Sequence, residues 1–211
     1  MRITEIYAAI QGETQYAGIP CTLVRMTGCD LRCSYCDTTY AFSGGTDMSI
    51  DEVMREVRRL GLSAVTLTGG EPMLQGELVA LAERLVREGF RVTLETSGAH
   101  PVAHLPPAVI RIVDIKTPGS GEVERNFWDV LHGLRPQDAI KFVLCDEADY
   151  LWSAEVVRSR SLSGRTELLF SPATGKLEPR DLATWILRDR LPVRLNLQLH
   201  KYLWGAETRG V

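Results

Sequence analysis

Positive charge is in short supply in this 211-residue chain: 24 lysines and arginines face 27 acidic residues, a formal net charge of −3. That balance leaves no basic footprint for a phosphate backbone, so no nucleic-acid partner is expected, and small-molecule chemistry or a protein partner is favoured. Long apolar runs are missing as well. The amino-terminal "MRITEIYAAIQGE" breaks its apolar stretch with Arg2, Glu5 and Glu13. It does not read as a secretory signal, and no later stretch is long enough to span a bilayer. A cytoplasmic protein without a membrane partner is the expectation. Internal repeats, linkers and low-complexity tracts are also absent. A composition of 45% hydrophobic and 24% charged residues argues against disorder, and the length suits one domain over residues 1–211.

What is present alternates. Strand candidates are "TEIYAAI", "CTLVRMT", "AVTLTG", "RVTLET", "IRIVDIK", "AIKFVL", "ELLFSP" and "VRLNLQL". They are rich in Val, Ile, Leu and Thr, and several read as apolar on both faces, as buried parallel strands do. Helical patterns lie between them. "SIDEVMREVRRLG" carries Ser49 three residues before Glu52, the spacing of a capping box, and stops at Gly61. "GELVALAERLVREG", "VERNFWDVLHG", "EADYLWSAEVVRSR" and "EPRDLATWILRDR" follow the same period. Phe127, Trp128 and Trp185 fit core stripes of these helices. "SGAHPVAHLPPAV", with three prolines, reads as loop. The alternation predicts an α/β fold with a largely parallel sheet and fewer helices than strands. Its ligands belong at the carboxyl ends of the strands.

Cysteine is sparse but clustered. In the cytoplasm its five copies are expected to be free, metal-bound or catalytic rather than disulfide-paired. Cys21 and Cys145 sit in apolar runs and read as buried thiols. Cys29, Cys33 and Cys36 instead share "GCDLRCSYCDTTYAF", with no fourth cysteine or histidine near them. Structural zinc wants a closed set of four ligands, whereas a cubane iron–sulfur cluster held by three thiolates keeps one iron open to an outside ligand. A second motif, "TLTGGEP" (Thr66 to Pro72), follows a strand and precedes a helix. Its consecutive glycines allow close backbone approach, and exposed amides there could meet a charged ligand.

The cysteine spacing and the Gly-Gly-Glu-Pro stretch resemble the radical S-adenosylmethionine (SAM) superfamily. The resemblance implies an incomplete (partial) β/α barrel with reduced helical content, a 4Fe-4S cluster on Cys29, Cys33 and Cys36, and SAM chelating the open iron. "EIYAAIQGETQYAGIPCTLVRMTGCDLRCSYCDTTYAF", "LETSG", "DIKTP" and "NLQLHKYLWGAETRGV" extend the likeness, over nearly the whole chain, to the 7-carboxy-7-deazaguanine synthase family. Thr14 departs from a common glycine and Asp30 from a common asparagine. The family implies ring contraction of 6-carboxy-5,6,7,8-tetrahydropterin with release of ammonia, a 5′-deoxyadenosyl radical, Mg²⁺, a reductant such as flavodoxin or ferredoxin, and a homodimer. The rival within the superfamily is a glycyl-radical-enzyme activating enzyme. A rival of another class is a non-catalytic zinc or iron–sulfur module.

By the same resemblance, Tyr35, Asp37, Gly69, Gly70, Glu71, Ser97, Asp114 and Lys116 fall to SAM, and Thr38 to Mg²⁺, a cation that prefers oxygen. Ile10, Gln11, Gly12, Glu13, Arg25, Thr68, Glu95, His200 and Val211 fall to the substrate. The chemistry agrees for several of them. Gln11 both donates and accepts, Glu13 accepts from ring and exocyclic nitrogens, and Arg25 can fork onto an oxygen. The tail "WGAETRGV" would ordinarily fray. The family instead has its terminal carboxylate, here on Val211 with Gly210 before it, reach the substrate.

Overall fold

The computed structural model describes residues 1–205 and 208–210. Nine strands form one open sheet. In chain order they are β1 (Arg2–Ile10), β2 (Pro20–Met26), β3 (Thr46–Asp47), β4 (Ala64–Gly69), β5 (Arg91–Thr96), β6 (Ile110–Ile115), β7 (Ala139–Leu144), β8 (Glu167–Pro172) and β9 (Arg194–Leu195). The spatial order is β3-β1-β2-β4-β5-β6-β7-β8-β9. β1 is antiparallel to both β2 and β3, while every pairing from β2 to β9 is parallel. The helices are α1 (Ile50–Leu60), α2 (Leu78–Arg87), α3 (Glu147–Ser159), α4 (Pro179–Asp189) and α5 (Leu199–Trp204).

α1 starts where its sequence says it should. Ser49 Oγ accepts from the Glu52 amide, Glu52 answers to the Ser49 amide at 2.8 Å, and Gly61 closes the helix in the left-handed region. Its buried Val53, Met54 and Val57, with Leu78, Leu81 and Leu85 of α2, cover the outer face of the sheet at Val65, Leu67, Val92 and Leu94. Each such side chain contributes roughly 1.5–3 kcal/mol by leaving water. Tyr150 of α3 and Leu182 of α4 continue this core over Phe142 and Phe170.

The inner face differs from the expectation of strands apolar on both sides. Its floor is apolar, where Ile110, Ile112, Ala139 and Leu169 pack together beside Tyr16, and Ala9, Cys21 and Leu23 add apolar surface on β1 and β2. Elsewhere it carries Thr66 and Thr68 of β4, Thr93 and Glu95 of β5, Asp114 of β6 and Lys141 of β7. Strict alternation along each strand segregates the two faces.

Two element expectations are corrected. "VERNFWDVLHG" forms short 3-10 turns at Val123–Arg125 and Trp128–Gly133 rather than a helix, and Phe127 is 38% exposed. The Asn126 side chain takes this segment out of helical register, accepting from the Lys116 amide and donating to its carbonyl at 2.8 Å each. "VRLNLQL" pairs only at Arg194–Leu195, and the chain then turns into α5, so His200 sits on a helix rather than after a strand. No helix joins β5 to β6 or β6 to β7, which leaves the barrel partial.

The sheet edges do not pair, but the loop after β9 returns to the β1–β2 loop. Leu199 N–H donates to Gly12 O at 3.0 Å, and a Cβ on Gly12 would lie 2.6 Å from His200 Nδ1. Only glycine allows that approach.

Candidate active site

The cysteine loop leaves β2 at its carboxyl end and is tied down by backbone. Gly28 N–H donates to Ala41 O, Glu71 N–H to Gly28 O at 2.7 Å, and Ser34 N–H to Ser120 O at 2.9 Å. Cys29, Cys33 and Cys36 are free and half-buried, and the Leu31 amide donates to Cys29 Sγ at 3.5 Å. Burial pushes the Cys33 thiol up to about 11, against the pull of the Lys116 ammonium. Three unpaired thiols on one anchored loop, beside a buried cation, fit a cluster held by three thiolates. Cys21 and Cys145 are buried as expected, 2% and 9% exposed. The Cys21 sulfur accepts from Thr66 Oγ1.

The Gly-Gly-Glu-Pro turn packs directly on this loop. A Cβ on Gly70 would fall 2.2 Å from Gly28 O and 2.8 Å from the Cys29 Cβ. The amides expected to stay exposed are instead used: Gly70 N–H donates to Met26 O and Glu71 N–H to Gly28 O. Glu71 is fully buried. Its carboxylate accepts from the Met73 amide at 2.9 Å, Thr96 Oγ1 at 2.8 Å and the Ser97 amide at 2.7 Å. It thereby locks the end of β4, with Gly69, to the end of β5, with Ser97.

Across from it lie Tyr35, Asp114 and Lys116. Lys116 Nζ donates to Asp114 Oδ2 at 2.9 Å. Among the described residues, the Tyr35 hydroxyl and Asp114 Oδ1 are both buried without a hydrogen-bond partner. Burial, then the Asp114 charge, pushes the Tyr35 hydroxyl upward. Orphaned polar atoms at a strand end fit a polar ligand that fills the gap, which suits SAM with its ribose and amino-acid ends.

Next to the loop is a cavity of about 140 Å³. Its wall gathers substrate residues expected from sequence: Ile10 from the end of β1, Gln11, Gly12 and Glu13 from the β1–β2 loop, Arg25 from β2, Thr68 from β4, Glu95 from β5 and His200 from α5. Asp37 and Thr38 line it on the cysteine side. Thr38 Oγ1 donates to Asp37 Oδ1 at 3.0 Å. Asp37 also takes Lys201 Nζ at 2.7 Å and Gln198 Nε2 at 3.1 Å, so its carboxylate is pinned to the tail.

Gln11 is consumed internally. Its Nε2 donates to Thr66 Oγ1 and Glu95 Oε1, both at 3.1 Å, and its Oε1 accepts the Glu13 amide at 2.8 Å. Arg25 Nε meets Glu5 Oε1 at 2.6 Å, and the Tyr40 hydroxyl joins the same oxygen at 2.9 Å. Burial alone would raise Glu13. Lys141, at 2.7 Å, and His200 overcome it, so Glu13 stands far below the usual carboxylate range. Burial dominates at Glu95, and its pKa is raised despite Lys141.

Thr208, Arg209 and Gly210 also line the cavity, and the Arg209 guanidinium lies 4.3 Å from the Tyr40 ring centroid. Residues 208–210, though exposed, thus lie at the mouth. Val211, assigned to the substrate by resemblance, lies outside the described residues.

Several residues that line the pocket or hold its lining side chains were not singled out from sequence. Lys141 is the clearest. A lysine inside the apolar "AIKFVL" is the signal, because a charge in a central strand needs a partner. Glu5 and Tyr40 carry no such signal, and Gln198 and Lys201 hide in what reads as strand and tail.

Residues 23–114 match the radical SAM superfamily. The 7-carboxy-7-deazaguanine synthase of Koribacter versatilis is 47% identical over the full length of both chains. That of Chlorobaculum tepidum is 45% identical over all of this chain and 97% of the relative. The solved structure of QueE from Escherichia coli superposes with a TM-score of 0.76 at 22% identity, covering 94% of each chain. With near half of its residues shared end to end, the chain belongs to the 7-carboxy-7-deazaguanine synthase family of radical SAM enzymes.

Proposed function

We propose that this protein is the carbon–nitrogen lyase that contracts 6-carboxy-5,6,7,8-tetrahydropterin to 7-carboxy-7-deazaguanine and releases ammonia, a step of queuosine and 7-deazapurine biosynthesis. One observation carries the reading: a small, polar cavity opens beside the three-cysteine loop, in a chain whose full-length relatives are named 7-carboxy-7-deazaguanine synthase.

Cys29, Cys33 and Cys36 hold a 4Fe-4S cluster. Tyr35, Asp37, Gly69, Gly70, Glu71, Ser97, Asp114 and Lys116 surround SAM, with Glu71 acting by holding two strand ends together. Thr38 offers an oxygen to Mg²⁺. Cluster and SAM, when bound, supply the radical that removes one hydrogen from the substrate. Ionised Glu13 accepts N–H groups of the pterin, Arg25 meets an oxygen, and Ile10, Gly12, Thr68 and His200 complete the wall. Glu95, whose pKa burial raises, holds a proton more readily than Glu13 does. α5 with Thr208, Arg209 and Gly210 flanks the pocket and limits water, and Val211 is assigned to the substrate. The whole chain acts as one radical SAM domain, as a homodimer in the cytoplasm, reduced by flavodoxin or ferredoxin. No helix among the described residues is long and apolar enough to cross a membrane.

The test is anaerobic incubation of reconstituted protein with the carboxytetrahydropterin, SAM, Mg²⁺ and reductant. A deazaguanine chromophore with matching ammonia is expected. SAM cleavage with no heterocyclic product would overturn the reading and favour a glycyl-radical activating enzyme.

A further inference from the structure

We propose that Lys141 is a positioning residue for substrate recognition: by pairing with Glu13, it sets that side chain as the acceptor for the substrate's N–H groups. The proposal rests on the pterin reading above and concerns a residue outside the site predicted from sequence.

The geometry is specific. Lys141 projects from the inner face of β7, its side chain 9% exposed, and its Nζ donates to Glu13 Oε2 at 2.7 Å. The other Glu13 oxygen accepts Gln198 Nε2 at 2.9 Å and lies 3.8 Å from His200 Nε2. Glu95 meets Gln11 alone among the described residues, at 3.1 Å. Gln11 in turn accepts the Glu13 amide at 2.8 Å. One side-chain amide therefore ties the Glu95 carboxyl to the Glu13 backbone, and one ammonium makes the two carboxyls unequal. An ionised carboxylate offers acceptor sites only, which suits the amino and ring N–H groups of a pterin. Removing the ammonium leaves Glu13 desolvated without its cation, and burial then drives it to take a proton. A protonated Glu13 presents a donor where the pterin also presents donors.

Groups facing Lys141 are Glu13 of the β1–β2 loop, Glu95 of β5, its register partner Asp114 of β6 and Tyr35 of the cysteine loop, and the two glutamates are faced in turn by His200 of α5, Asp37 of the cysteine loop and Arg25 of β2. All remain in the variants except where named.

The experiment measures carboxytetrahydropterin affinity by calorimetry, and KM against kcat, for cluster-loaded wild type, K141M, K141R, E13Q and E13Q/K141M from about pH 6 to 9. Wild-type affinity should stay flat across that range. K141M should bind roughly 30-fold more weakly at neutral pH and recover as pH rises, with KM moving more than kcat and with iron content and SAM affinity retained. K141R should restore most of the affinity. E13Q/K141M should bind no more weakly than E13Q, because Lys141 acts through Glu13. A K141M protein that binds as wild type does, a loss independent of pH, or additive losses in the double variant would each overturn the proposal. If K141M does not fold, the neutral double variant against E13Q decides it. A wild type that neither binds nor converts the pterin would sink the functional reading instead, and so the two failures are separable.

Discussion

Lys116 Nζ donates to Asp114 Oδ2 at 2.9 Å, while the other Asp114 oxygen is buried with no partner among the described residues. The pair is half satisfied, at the carboxyl end of β6 and beside the cysteine loop. We predict that D114A lowers SAM affinity by about tenfold or more, because an acceptor for a polar ligand atom is lost. Iron content should be unchanged. Equilibrium dialysis with labelled SAM measures it, and undiminished SAM binding would return Asp114 to a purely structural ion pair.

The three loop cysteines and the two buried ones should separate cleanly. Among five single Cys→Ala variants, those at Cys29, Cys33 and Cys36 should lose iron and visible absorbance after reconstitution, and those at Cys21 and Cys145 should keep both. A folded C145A protein without a cluster would refute the assignment.

Gly70 has no room for a methyl group: backbone at Gly28 and the Cys29 Cβ stand inside van der Waals range of it. G70A should cost roughly 1–3 kcal/mol in urea unfolding and disturb cluster assembly as well. Gly76, where a Cβ meets nothing within 4 Å, is the control, and G76A should behave as wild type. Equal stability of the two variants would contradict the packing described.

Thr38 lines the cavity with its hydroxyl directed to Asp37 at 3.0 Å. T38A is expected to raise the Mg²⁺ concentration needed for half-maximal activity while sparing the cluster. Unaltered magnesium activation would leave Thr38 as a turn hydroxyl.

Away from the site, Asp138 is 0% exposed and gathers Arg111, at 2.6 Å, and Arg135, at 3.0 Å. Burial would raise it, but the hydrogen bonds from the two arginines prevail and its pKa is lowered from 3.8. Its contribution is therefore complete above about pH 4, the unfolded value, and is lost as pH falls through the lower folded value. D138N should cost roughly 3–5 kcal/mol at neutral pH by stranding buried arginine charge. The gap from wild type should narrow below that pH. Urea midpoints across the acid range test this, and a gap that stays constant would refute it.

Local pattern was enough for much of this protein. "AVTLTG", "RVTLET", "AIKFVL" and "ELLFSP" are strands to the residue, and the capping box of α1 forms as spaced. These features depend on neighbours in the chain, through side-chain alternation and turn closure. The cysteine triplet and Gly-Gly-Glu-Pro were legible for the same reason: each is a contiguous motif. Tertiary structure decided what contiguity cannot carry. The charge on Glu13 depends on Lys141, 128 positions away, and the commitment of Gln11 depends on Thr66 and Glu95. The strand expected at "VRLNLQL" stops at Leu195, and the chain leaves the sheet so that Leu199, at the start of α5, bonds Gly12 across the sheet opening. Electrostatic and hydrogen-bond partners are chosen by proximity in space, and in a sheet whose strands fold side by side that proximity is set by the register of β1, β4, β5 and β7 rather than by spacing along the chain.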